Sequence, residues 1–318
     1  MKFSKIIITV AIVILTVILS SKLMHNKFKT STKQDIELFQ GEFKDEIIVP
    51  PYNFSGSNGN YKIKDFFVKS SYNSAYNGKN MDVEMVKTVL NRGCRYLDFE
   101  IVKNDDKLYI TYDNLALDKQ ITLDSVLLSI NATLTKGDPV FINLRLRNPS
   151  SISYNTIVPT LRTLQSNLRY SGVAINSNTK MSQIRGKCIF ISDSKITDGS
   201  GKSATDIVID NPNTGFYSYK NTIIVDKNPT MENQTTQVTI VEPDTKTLFL
   251  LFDYDTINVR NLVLNYKANF TPHKFYMQGE DLNNYEYIFN DAKSTFIRRN
   301  YLDAKFFERM DSVVDSIE

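Results

Sequence analysis

From Phe66 onward, short runs rich in β-branched and aromatic residues alternate with amphipathic helical stretches, and this alternation most constrains the fold. Strand-like runs are Phe66–Ser71, Arg95–Val102, Leu108–Tyr112, Val140–Leu146, Cys188–Ser192, Thr222–Val225 and Leu248–Phe252, with one more near Lys274–Met277 or Thr295–Arg298. Between them, Asp82–Asn91 carries apolar residues at helical spacing (Val83, Val86, Leu90), and Leu123–Leu134 and Asn155–Leu168 are further helical stretches. Strands that alternate with helices form a parallel sheet, because a parallel connection needs a crossover long enough to hold a helix. About eight strands in roughly 240 residues fit a (β/α)8 barrel better than an open sheet. No internal repeat is visible, and Thr197–Gln237, rich in Gly, Ser, Asn and Asp, reads as long loops with a short strand inside.

Composition excludes several classes. A net charge of +3 without a Lys/Arg run argues against a nucleic-acid partner. Two Cys cannot build a disulfide scaffold, and with two His they leave little for a zinc site. Cys94 and Cys188, on different strands, read as small buried residues. The Asn-, Ile-, Lys- and Tyr-rich, Trp-free composition points to an AT-rich genome, a large DNA virus or a low-GC microbe.

Ile6–Ser21 is an uncharged run between Lys5 and Lys22. It falls just short of the roughly 20 residues of a span, which Leu23 and Met24 supply if Lys22 snorkels. Ser20-Ser21-Lys22 is a poor cleavage site, so an uncleaved single-span anchor over 1–26 is expected ahead of a signal peptide. The lysines that follow (Lys22, Lys27, Lys29, Lys33) tilt the body toward the cytosolic side. Sequons at Asn53, Asn131, Asn233 and Asn269 do not decide the side, because an Asn-rich chain makes them by chance. Residues 27–63 read as a linker or arm, 64–303 as the barrel, and 304–318 as an amphipathic C-terminal helix. Gly199-Ser200-Gly201-Lys202-Ser203 lacks the first Gly of a phosphate loop and reads as a flexible loop.

In such a barrel the site lies at the carboxyl ends of the strands, which directs attention to Ser70–Asn73, Asp98–Glu100, Tyr112–Asn114 and Arg145–Asn148. Asp98 and Glu100 are two apart on one strand and therefore share a face. Buried carboxylates need a cation, supplied either by a metal or ligand or by Arg95, Arg145 or Arg147.

At these positions the chain resembles the X domain of phosphatidylinositol-specific phospholipase C, a distorted TIM barrel. Ser71-Tyr72-Asn73-Ser74 stands where that family has Ser-His-Asn-(Thr/Ser). Gly93-Cys94-Arg95-Tyr96-Leu97-Asp98-Phe99-Glu100 matches its Gly-Cys-Arg strand, and Ile184-Arg185-Gly186-Lys187-Cys188-Ile189-Phe190 its Leu-Arg-Gly-Lys strand start. Asn269-Phe270, Gln278, Asp281 and Ser294-Thr295-Phe296-Ile297 are similar to its last segments. The likeness runs over roughly residues 64–302. The sister glycerophosphodiester phosphodiesterases match less well, since their His-Arg-Gly opening is missing.

The resemblance implies phosphodiester chemistry in which one His is general base toward the inositol 2-hydroxyl and a second protonates the departing glycerol oxygen. Here those places are Tyr72 and Tyr112, while the two histidines are His25 and His273, outside the motifs. It also implies, for eukaryotic members, a calcium ion held by the motif Asn, the two acids and a Glu on the fourth strand. Asn73, Asp98 and Glu100 remain of that set, as a vestigial metal site, and the Glu place is Arg145. An unperturbed tyrosine, with a pKa near 10, is about one part in a thousand ionised at pH 7. Losing one acid–base group costs roughly 10²- to 10⁴-fold. The expectation is a degenerate site (Tyr72, Tyr112, Asp98, Glu100, Arg145) in a membrane-anchored, catalytically silent binding or structural module. Its partners would be a phospholipid headgroup or proteins of a membrane assembly, and no cofactor is expected unless calcium. The alternatives are an active phosphodiester hydrolase or lyase with Asp98, Glu100 or Asp113 as base and Arg145 or Arg147 on the phosphate, and a virion or envelope component.

Overall fold

The first core strand begins where a polar segment meets Phe66-Phe67-Val68, and in the computed structural model those residues form β1 (Phe66–Val68). The structure describes residues 52, 54, 56–112, 120–134, 137–170, 175–197, 208–210, 216–220, 237–243, 258–277 and 279–314. These all belong to one compact unit.

β2 (Ser70–Ser71) pairs parallel with β3 (Tyr96–Asn104), which pairs parallel with β6 (Val140–Leu146). The sheet continues in parallel through β7 (Cys188–Ser192) to β8 (Val208–Asp210). β4 (Lys107–Thr111) returns antiparallel on β3, with β5 (Ile121–Thr122) beside it. On the other flank β9 (Phe216–Lys220) and β10 (Val238–Glu242) pair in parallel. Phe270 bridges parallel to both Ile240 of β10 and Val68 of β1, and β11 (Phe296–Arg298) closes antiparallel on β1.

The strands thus curl from β8 through β3 and β1 to β10 and β9 in an α/β arrangement. The expected closed eight-stranded barrel is corrected: among the described residues no pairing joins β8 to β9. Residues 211–215 between them are too few to hold the helical crossover that normally joins neighbouring parallel strands. Runs expected as strands at Thr222–Val225 and Leu248–Phe252 lie outside the described residues.

Helix α1 (Val83–Asn91) starts where Asp82 caps it, accepting the Glu84 backbone N–H at 3.0 Å. Met85, Val86, Val89 and Leu90 form its buried stripe. α2 (Leu123–Thr133) is capped by Thr122. α3 (Tyr154–Leu161) is shorter than its sequence pattern and stops two residues after Pro159, whose ring removes one helical N–H. α4 (Met181–Ile184), α5 (Val259–Tyr266), α6 (Glu280–Asp291) and α7 (Ala304–Val314) complete the helices named here. Phe306 and Phe307 of α7 are buried.

One core cluster fills the curl with Phe66, Val68, Tyr96, Phe141, Ile189, Ile191, Ile240, Phe270 and Phe296. Phe54, Ile63, Met181 and Ile184 join it, so the end of the polar arm and α4 seat against the beginnings of the strands. Below the site, then, the interior is sealed by apolar packing.

The expectation of a single-pass membrane protein is also corrected. Among the described residues, no helix is long and apolar enough to cross a membrane. The run Ile6–Ser21, and with it His25, lies outside them.

Candidate functional site

Strand register builds the site in layers. Tyr96 pairs with Phe141, Asp98 with Asn143 and Glu100 with Arg145, and parallel partners point to the same side. The aromatic layer therefore lies beneath a polar one, and Asp98, Glu100 and Arg145 occupy the carboxyl-terminal ends of β3 and β6. After β2 the backbone turns sharply at Asn73, with φ of 43°, a conformation that Asn tolerates better than most residues. That turn is pinned to β3, since Ser74 donates its backbone N–H to the Asp98 carbonyl at 2.9 Å and its hydroxyl accepts the Asp98 N–H at 3.0 Å.

Asp98 is fully buried. Its Oδ1 accepts from Asn143 Nδ2 at 2.9 Å and Arg145 Nε at 3.0 Å, and its Oδ2 from Arg145 Nη2 at 3.0 Å and the Asn73 N–H at 3.1 Å. Arg145 Nη2 also donates to Asn73 Oδ1 at 2.6 Å. Its guanidinium carbon lies 4.7 Å from the centre of the Tyr72 ring, within cation–π range. Glu100 is more loosely placed, 3.8 Å from Arg145 and 3.8 Å from Arg147. Burial is the largest single influence on the Arg145 pKa and lowers it, but Asp98, Tyr72 and Glu242 together outweigh it and hold the guanidinium well above its ordinary value.

Tyr72, Asn73, Asp98, Glu100 and Arg145 are thus brought together. Arg95 is not: its Nε donates to Asp138 Oδ2 at 3.0 Å, where β3 begins. Tyr112 belongs to a second group. Its hydroxyl lies 2.9 Å from that of Tyr276, and its ring stacks on Tyr76 at 4.4 Å between centres. Asp113 and Asn114 lie outside the described residues, as do Gly199–Ser203 and Gln278.

His273 stands on the opposite side of its strand. It bridges Ser71, whose partner Leu97 points away from Asp98, and it stacks on Tyr285 of α6 at 3.9 Å. Burial pushes its pKa down to about 4, so the imidazole is neutral, with Nδ1 3.1 Å from the Thr271 carbonyl. Burial likewise pushes the Cys94 and Cys188 thiols up to about 12, which makes both unreactive.

Sequence reasoning overlooked Asn143, Asp193 and Glu242. Asn143 stands two residues before Arg145 on β6, a spacing that assigns it to the same face. Asp193 directly follows β7, and its Oδ1 accepts the Leu146 N–H at 3.1 Å. Burial raises its carboxyl pKa, Glu242 adds to the rise, and Arg145 works against it. Glu242 ends β10 and accepts from the Ser218 hydroxyl at 2.9 Å.

No curated protein sequence matches the chain. Among the solved structures that share its fold are PLC21 of L. pealei, at TM-score 0.60 and 14% identity, over 76% of this chain and 38% of that one, and PLC21 of S. officinalis, at TM-score 0.60 and 14% identity, over 77% and 38%. The chain therefore spans well under half the length of either of these two proteins. Residues 60–190, which carry the Asn73, Asp98 and Arg145 positions, match the family profile of the phosphatidylinositol-specific phospholipase C X domain. Over that segment the chain is similar to the X domain of phosphatidylinositol-specific phospholipase C, and the likeness to the two solved structures extends the shared fold beyond it.

Proposed function

We propose that this chain is a phospholipase-C-fold protein without acid–base catalysis, serving as a binding or structural module. The observation that carries the reading is where the imidazole is. Both histidine places hold tyrosines, and the one described histidine, His273, stacks on Tyr285 behind the strand. Tyr72 lies under the Arg145 guanidinium, and Tyr112 shares its hydroxyl with Tyr276. Neither arrangement supplies a group that takes up and returns a proton near neutral pH. A phospholipid headgroup or another protein is the partner class this leaves.

A second reading, an active hydrolase or lyase, is favoured by Asp193. Burial raises its pKa, as a carboxyl base or acid requires, and Arg145 is close enough to influence it. The two readings separate in one assay. Purified protein incubated with phosphatidylinositol or lysophospholipid vesicles is expected to release no phosphate ester above a protein-free control. Turnover abolished by Asp98→Ala would refute the silent reading, and turnover abolished by Asp193→Asn as well would establish the second.

A further inference from the structure

The family resemblance implies a calcium ion at Asn73, Asp98 and Glu100, and the residues present do not fit one. Calcium takes six to eight oxygens at roughly 2.3–2.6 Å. Asp98 Oδ1 already accepts from two donors and Oδ2 from three, with Arg145 among the donors to both. The Asn73 side-chain oxygen accepts from the same guanidinium at 2.6 Å. A metal drawing on those three oxygens would have to occupy the place of the guanidinium.

Two further features hold Arg145 there. Its side chain is only 13% exposed, with the Tyr72 ring against one face. Asn73, itself 2% exposed, leaves its Nδ2 buried without a hydrogen-bond partner. Turning the amide over would put that donor where its oxygen now accepts from the guanidinium, donor against donor. The amide keeps its oxygen on Arg145 instead.

We infer that Arg145 is the resident cation of this centre: a tethered guanidinium that neutralises Asp98, holds Asn73, and closes the site to divalent metal. This goes beyond the absence of catalysis, since a chain that cleaved phosphodiesters without metal would satisfy it equally. Arg145 is a positioning residue here, acting through Asp98 and the turn at Asn73.

The test is a calcium titration read by thermal shift, together with tyrosine-sensitised terbium luminescence, on the full chain. Wild type and Asp98→Asn are expected to respond identically through the millimolar range, the weak end of protein calcium sites. Arg145→Ala and the bulkier Arg145→Gln, shown folded by circular dichroism, are expected to bind at least tenfold more tightly than wild type. Adding Asp98→Asn to either should abolish the gain. Calcium binding by wild type that Asp98→Asn removes would overturn the inference. So would folded Arg145 variants that bind no better than wild type. If neither variant folds, the comparison of wild type with Asp98→Asn decides alone: an Asp98-dependent response overturns the inference, and identical responses support it.

Discussion

Replacing Arg145 by Met tests whether the guanidinium carries the charge of the site. Met keeps much of the length and apolar bulk of the Arg stem, so the main loss is the two-point bond to Asp98 at 3.0 Å on each oxygen. Asp98 has no exposed surface, so its carboxylate would be left in the interior with only Asn143 and the Asn73 N–H as donors. Breaking a buried pair by removing one partner typically costs about 3–5 kcal/mol. The two remaining donors offset part of this, which places the expected loss at about 3 kcal/mol. At about 2–4 °C per kcal/mol for a domain of this size, the melting temperature should fall by about 6–12 °C. The chain has no Trp, so urea unfolding is best followed by far-UV circular dichroism and tyrosine fluorescence. Adding Asp98→Asn removes the stranded charge, and the double variant should recover about half of the loss or more, a coupling that a double-mutant cycle resolves. A loss below about 0.5 kcal/mol, or a double variant equal to the sum of the singles, would show the pair to be no stronger than a surface one, and the reasoning would fail.

Other perturbations probe the supports of the site. His273 has its pKa lowered from 6.5 to about 4 by burial, so the unfolded chain takes the proton first as pH falls. Its contribution is fully present above pH 6.5 and is lost on descent through pH 4, a change of about 3 kcal/mol. His273→Phe, which preserves the stack on Tyr285, should flatten that acid limb, and an unchanged limb would contradict the burial argument. Lys69 and Arg92 both hold Glu286 of α6, Lys69 Nζ at 2.8 Å. Glu286→Gln takes the carboxylate from buried Lys69 and half-buried Arg92 and should cost about 3 kcal/mol, whereas Lys69→Met leaves Glu286 paired with Arg92 and should cost clearly less. Equal losses in chemical denaturation would refute that ranking. Asn269, fully buried, donates to the carbonyls of Lys64 and Phe66 and accepts the Thr239 N–H. Asn269→Ala strands three backbone groups and should cost about 2–4 kcal/mol; a loss under about 1 kcal/mol would mean that water replaces the amide.

What could be read in advance follows from how local each signal is. Asp98 and Glu100 were legible because they sit two apart in a nine-residue strand that is otherwise apolar through Val102. Arg145 was legible because β6 has the same alternation. Their mutual register was not, since the parallel pairing of β3 with β6 is set by packing between segments some forty residues apart. Val238–Glu242 carries a clear β-branched run, but it follows a long polar stretch that masks where the sheet resumes. Phe54 and Ile63, isolated among polar residues, show no periodicity, and only the assembled fold reveals that they seal the core. The pairing of Tyr112 with Tyr276 joins residues 164 apart and is invisible to any local pattern. His273 shows the same limit from the other side, because which face of a strand a residue occupies depends on a bridge to Ser71 that the sequence does not display.

The most direct measurement is a single-turnover experiment by ³¹P NMR, with protein in excess over phosphatidylinositol and incubation for days. This exposes rates far too slow for steady-state assays. A site whose histidine places hold Tyr72 and Tyr112 predicts a spectrum indistinguishable from that of Asp98→Ala protein. A cyclic or open inositol phosphate signal that grows with wild-type protein and vanishes with Asp98→Ala would contradict it.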